Sequence, residues 1–190
     1  MRLLLASKSP RRRQLLAELG FPIEIVNVDV DEHLDVPMPA DEVAEYLACR
    51  KAVAYPTDLL PPDGVLVTAD TVVVVDNQVL GKPASHSEAA AMLHHLSGRS
   101  HYVYTGVCLR SSRKHVSFTE QTTVHFSPLS DEVIEHYIDH YRPYDKAGAY
   151  GIQEWIGMVG ICRIEGCYYN VMGLPLARLY ASLQGFSAAE

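Results

Sequence analysis

Cysteine is scarce: the 190 residues hold four, Cys49, Cys108, Cys162 and Cys167, with no C-x-x-C spacing among them. A chain of this length has no need of disulfide staples, so free buried thiols are expected. Also missing are a G-x-x-x-x-G-K-[ST] loop and a G-x-G-x-x-G turn, which removes support for Walker-type NTPases and Rossmann dehydrogenases. Positive charge is in deficit, with 16 Lys and Arg against 23 Asp and Glu and a net charge of −7. Duplex nucleic-acid affinity rests on a broad basic surface, so no general nucleic-acid partner is expected. The apolar run after Met1 ends at Ala6, too short for a signal peptide or a membrane span, and a cytoplasmic location without a membrane partner is the expectation.

What the chain does have is 48% hydrophobic residues, enough for a sizeable core and for a single domain over residues 1–190. Its most informative stretch is Leu3-Leu4-Leu5-Ala6, then Ser7-Lys8-Ser9-Pro10-Arg11-Arg12-Arg13, then Gln14 to Leu19. That order predicts a strand, a hydroxyl-rich turn and a helix. Ser9 suits the N-cap and Pro10 the first helical position, leaving free N–H groups and the positive helix end facing the turn. Ser7, Ser9, Arg11 and Arg12 are candidate phosphate ligands, because guanidinium forks grip phosphate oxygens with paired hydrogen bonds.

Further along, Ile23 to Val28 alternates as a strand, Asp41 to Tyr55 reads as a helix with Val43, Leu47 and Ala54 on one side, and Val65 to Val75 forms the most apolar strand. Asp76-Asn77 makes a two-residue turn. Helices over 87–96, 130–141 and 175–183 and strands over 101–110, 116–126 and 161–164 complete the pattern, while Arg142 to Gln153 is too glycine-rich for a regular element. Mixed hairpins and helices predict an α/β fold with a long twisted mixed sheet flanked by helices. Trp155, Tyr168 and Tyr169 read as packing residues, and His136 and His140 as a helix face, since no third zinc ligand accompanies them.

Asp70 is the sharpest single candidate. An acid set among valines is costly to bury unless a cation or donor meets it, so it reads equally as a metal ligand or general base and as a carboxylate that caps a neighbouring helix or pairs with Lys82. Glu32, with Asp29 and Asp31 nearby, offers a second carboxylate for Mg²⁺, which binds through one or two carboxylates plus substrate phosphates. Lys82 is held between Gly81 and Pro83. The loop Asp145 to Gln153 mixes charge, ring and carboxamide: it is either a recognition loop, with Gln153 donating to and accepting from a base edge, or a sharp turn.

Taken together, Ser7-Lys8-Ser9-Pro10-Arg11-Arg12, Ala69-Asp70-Thr71-Val72, Gly81-Lys82-Pro83, Thr105-Gly106-Val107, Asp145 to Gln153 and Tyr169 to Pro175 closely resemble the Maf family of nucleoside triphosphate pyrophosphatases. The resemblance covers nearly the whole chain. It implies an inosine triphosphate pyrophosphatase-like fold with two lobes around a cleft, a homodimer, and hydrolysis of a nucleoside triphosphate to monophosphate and pyrophosphate with Mg²⁺ or Mn²⁺. The run ending in Ile152-Gln153 resembles the branch acting on dTTP and UTP; the alternatives are a 7-methyl-GTP pyrophosphatase and a nucleotide-binding regulator of septum formation. By the same resemblance Asp70 is the catalytic proton acceptor, Lys82 and Glu32 are further catalytic-site residues, and Arg11, Thr71 and Gln153 select substrate; Lys146 is a further candidate for binding substrate, and Glu32 and Asp70 for holding the metal. Glu154-Trp155 departs from the family pattern, which has glycines there.

Overall fold

The computed structural model describes residues 1–31, 33–34 and 37–187. The chain runs through β1 (Arg2–Leu5), α1 (Pro10–Ala17), β2 (Ile23–Ile25), α2 (Val43–Ala54), β3 (Gly64–Val75), β4 (Gln78–Leu80), α3 (His86–Leu96), β5 (Ser100–Arg110), β6 (His115–Phe126), α4 (Asp131–Tyr141), α5 (Trp155–Gly160), β7 (Ile161–Glu165), α6 (Tyr168–Met172) and α7 (Leu176–Ser187). The strands form a seven-stranded sheet in the order β2-β1-β3-β5-β6-β7, with β4 on β3. β1 pairs in parallel with β2 and β3, whereas β3–β4 and β6–β7 are antiparallel. The sheet is therefore mixed, as the sequence predicts.

The chain divides into two compact units: Met1–Asp70, Thr105–Glu120 and Gly173–Glu190 make the first, Thr71–Tyr104 and Gln121–Met172 the second. In the first, Leu4, Ala6, Ala48, Ala52, Tyr55, Leu60, Leu66 and Cys108 form a core. Ala44, Ala48 and Ala52 recur every four residues, so they share one helix face, and all three are fully buried. Their small side chains let α2 come close to β5. At Gly106 the approach is so near that a Cβ would lie 2.2 Å from the backbone of Ala44 and Glu45, so only glycine fits the Thr105-Gly106-Val107 motif.

The second unit has its own core, where Ala89, Leu93 and Leu96 of α3 and Ile134, Tyr137 and Ile138 of α4 join Val103, Val124 and Phe126. Ser85 and Ser130 cap these helices through their side chains. Asp76 and Asn77 take φ of 49° and 61°, the left-handed pair that a two-residue hairpin turn requires. Asn170, fully buried on α6, donates its amide to the Val103 carbonyl and to Thr122 Oγ1, both at 3.0 Å, which gives the Tyr169-to-Pro175 motif a structural reason.

Several local expectations change. β2 stops at Ile25, which is exposed. On α2 the buried face is Val43, Ala44, Leu47, Ala48 and Ala52, and Ala54 is exposed. Residues 142–153 include a single 3-10 turn at Ala147–Ala149. Tyr168 and Tyr169 are exposed, meeting edge to face at 5.7 Å, rather than packing inside. All four cysteines are free, but only Cys108 is fully buried.

Candidate active site

The first unit assembles the phosphate turn and the carboxylate. Parallel pairing sets Leu5 opposite Val67, and the Ala6 N–H donates to the Val67 carbonyl at 3.0 Å. The chain leaving β1 therefore turns through Ser7 and Ser9 beside the stretch of β3 that ends in Asp70. Ser9 caps α1, its hydroxyl accepting from the Arg12 N–H at 3.4 Å, and the Ser9 N–H donates to Ser7 Oγ at 3.2 Å. Arg12 closes the arrangement. Its Nη1 donates to the Ala69 carbonyl at 2.9 Å and its Nε to the Gly173 carbonyl at 2.8 Å. The guanidinium thus fixes the helix start against the residue that precedes Asp70. Arg11 is half-buried and Arg13 exposed.

Asp70 sits inside β3, not at its end, because the strand continues to Val75. Its Oδ1 accepts from Lys51 Nζ at 2.6 Å, and each side chain retains 14% exposure. Lys51, rather than Lys82, is the cation on this carboxylate. A lysine on a helix with a mixed surface carries no local mark, which is why the sequence did not single it out. Glu32 lies outside the described residues.

Thr71, Lys82, Lys146 and Gln153 belong to the second unit. Thr71 is half-buried on β3, and Lys82 is exposed just after β4. The Gly148 N–H donates to the Gly81 carbonyl at 3.0 Å, joining the Asp145-to-Gln153 loop to the segment that carries Lys82. Lys146 is almost fully buried, its Nζ 2.7 Å from Asp145 Oδ1 and 3.0 Å from Glu154 Oε1. Glu154 Oε2 accepts the Tyr137 hydroxyl, and the Gly151 N–H donates to the Tyr137 oxygen at 3.0 Å. Burial, reinforced by Glu154, raises the Tyr137 phenol well above its ordinary range. This network explains the Glu154 departure: the carboxylate anchors the residue next to Gln153. Gln153 Oε1 is itself buried with no hydrogen-bond partner, and a Cβ on Gly151 would lie 2.9 Å from Gln153 Nε2.

A buried acceptor left unpaired costs about 1–3 kcal/mol. The family model for Maf-like proteins matches residues 2–186. This chain belongs to the Maf family. Similar Maf-family sequences include the "dTTP/UTP pyrophosphatase" of Parabacteroides distasonis, 49% identical over 187 residues with 97% of this chain and 96% of that protein covered. Those of Bacteroides thetaiotaomicron, at 46% with 96% and 94% covered, and Porphyromonas gingivalis, at 48% with 100% and 96% covered, carry the same name. Among solved structures, the Staphylococcus aureus Ham1 protein superposes with a TM-score of 0.54 at 12% identity, covering 97% of this Maf chain and 99% of the other. That likeness establishes the fold.

Proposed function

We propose that this Maf protein hydrolyses dTTP and UTP between the α and β phosphates, yielding the nucleoside monophosphate and pyrophosphate. The observation that carries the reading is the Arg12–Ala69 hydrogen bond beside the Lys51–Asp70 pair. It joins an anion-seeking turn to a carboxylate-bearing strand within one unit.

In this reading Ser7, Ser9, Arg11 and the first N–H groups of α1 hold phosphate oxygens, and Arg12 keeps that turn against β3. Asp70 orients the attacking water and accepts its proton, while Lys51 holds the carboxylate in place. Because pyrophosphate departs as the water attacks, no covalent intermediate is required. Thr71, Lys82 and Gln153 contact substrate, with Lys82 offsetting negative charge. Lys146 acts as a positioning residue, since its ammonium is enclosed by Asp145 and Glu154. Gln153 Oε1 suits the N3–H of thymine or uracil, a donor that cytosine lacks; a polar site of this kind rejects bases that leave its groups unpaired.

The donor chemistry suits a hard divalent cation completed by substrate. A carboxylate has several acceptor positions, and Lys51 occupies one oxygen of Asp70. Asp70 and Glu32 would hold Mg²⁺ or Mn²⁺ together with phosphate oxygens. When bound, the cation neutralises charge on the triphosphate and its leaving group. The reading extends to a cytoplasmic homodimer, in keeping with the family resemblance. Among the described residues no helix is long and apolar enough to cross a membrane, and sedimentation should give twice the 21.1 kDa chain mass.

The test is pyrophosphate release from a panel of dTTP, UTP, CTP, GTP and 7-methyl-GTP with each cation. dTTP and UTP should be turned over fastest, and Gln153→Ala should flatten the dTTP-to-GTP ratio. Preference for 7-methyl-GTP would overturn the substrate assignment; absence of release from every nucleotide would overturn the enzyme.

A further inference from the structure

None of the four cysteines takes part in the proposed hydrolysis, yet two of them meet a histidine inside the first unit. Cys49 lies on α2, Cys108 on β5 and His115 at the start of β6, and their ligand atoms all fall within 4.8 Å of one another. Cys108 Sγ is 2.9 Å from His115 Nε2. The group is graded in depth: Cys108 is buried, Cys49 half-buried and His115 exposed. His115 is thus the member nearest solvent.

Surrounding bonds hold the three elements in place. The Thr68 hydroxyl donates to the Ala48 carbonyl at 2.7 Å, on the turn of α2 that carries Cys49. Arg110, two residues beyond Cys108, donates to the Tyr55 carbonyl at 2.9 Å. Ser111 N–H to Lys114 carbonyl, at 2.8 Å, closes the turn between β5 and β6.

We propose that Cys49, Cys108 and His115 form a three-ligand site for a thiophilic divalent cation of the zinc type, with a fourth position left to water. Two sulfurs each about 2.3 Å from a tetrahedral zinc stand roughly 3.8 Å apart, within the spread of this cluster. Thiolate and imidazole donors select zinc-like ions, whereas the hard oxygens of Asp70 suit Mg²⁺. Among the described residues this is the one group of three or more His, Cys, Asp or Glu side chains with metal-binding spacing. Binding releases the thiol protons to solvent and exchanges the Cys108–His115 hydrogen bond for two metal–ligand bonds. A filled site ties α2 to the β5–β6 turn, and Lys51 follows Cys49 by two positions on that helix.

Anaerobic titration of the reduced, metal-free, full-length protein with Co²⁺ tests the proposal. Wild type should bind one equivalent and develop intense near-ultraviolet thiolate-to-cobalt absorption with the strong visible bands of a tetrahedral ion, both removed by one equivalent of Zn²⁺. Asp70→Asn should keep these bands. Cys49→Ser and His115→Gln, which alter the more accessible ligands and whose folding is checked by thermal unfolding, should each lose most of the intensity and weaken Co²⁺ binding by about tenfold or more. Weak octahedral bands alone, thiolate bands unchanged in both variants, or no binding by a protein with four titratable thiols would each overturn the site.

Discussion

Among the described residues each unit holds a lysine that meets carboxylate away from full solvent, and the two are surrounded differently. In the second unit Lys146 lies between Asp145 and Glu154, Glu154 takes the Tyr137 hydroxyl, and Tyr137 takes the Gly151 N–H. In the first unit, the Asp70 side chain receives the Lys51 ammonium at one oxygen. Taking two charges from water is costly, and the closed set of hydrogen bonds around Lys146 and Glu154 offsets that cost. The closed network holds a loop in shape. A carboxylate offers about four acceptor positions, so Asp70 can meet water or a cation besides the Lys51 ammonium.

Substitutions that treat the two pairs alike separate these roles. Asp70→Asn should show the largest effect, a fall in pyrophosphate release of about 100- to 10,000-fold with little movement of the urea midpoint. If the variant unfolds as easily as one lacking Glu154, the Lys51–Asp70 pair is structural and the contrast fails. Glu154→Gln should do the reverse, leaving Lys146 charged and buried with one exposed carboxylate, at a stability loss of about 3 kcal/mol; an unchanged urea midpoint would break the comparison from the other side. Tyr137→Phe should be smallest, about 1 kcal/mol, because it removes one hydrogen-bonding hydroxyl and keeps the ring. Equal losses in these last two variants would show that the hydroxyl, not the ion pair, holds the loop.

Legibility in the sequence followed the range of the interactions. The strand–turn–helix at the N-terminus was readable because Ser9 and Pro10 act on their own neighbours, and the Asp76-Asn77 turn because these residues tolerate positive φ. Asp70 stood out because its valine neighbours made its charge anomalous. Lys51 did not, since its meaning comes from a strand that packs against α2 from elsewhere in the chain. The short helices α5 and α6 were missed: six and five residues give too few turns for a periodic apolar face, and Gly157 and Gly160 lower the propensity of α5 further. The Cys49–Cys108–His115 cluster likewise has no short spacing to betray it. Glu154, which read as a departure from the family pattern, has a local partner set that only the folded loop supplies.

The three longest strands, β3, β5 and β6, each begin in one unit and finish in the other, so neither unit is a single run of chain. No truncation from either end releases one of them whole. A gene cut anywhere within 64–126 strands half of a β-ladder in each fragment, which makes this protein heritable only as an undivided piece and a poor donor for domain shuffling.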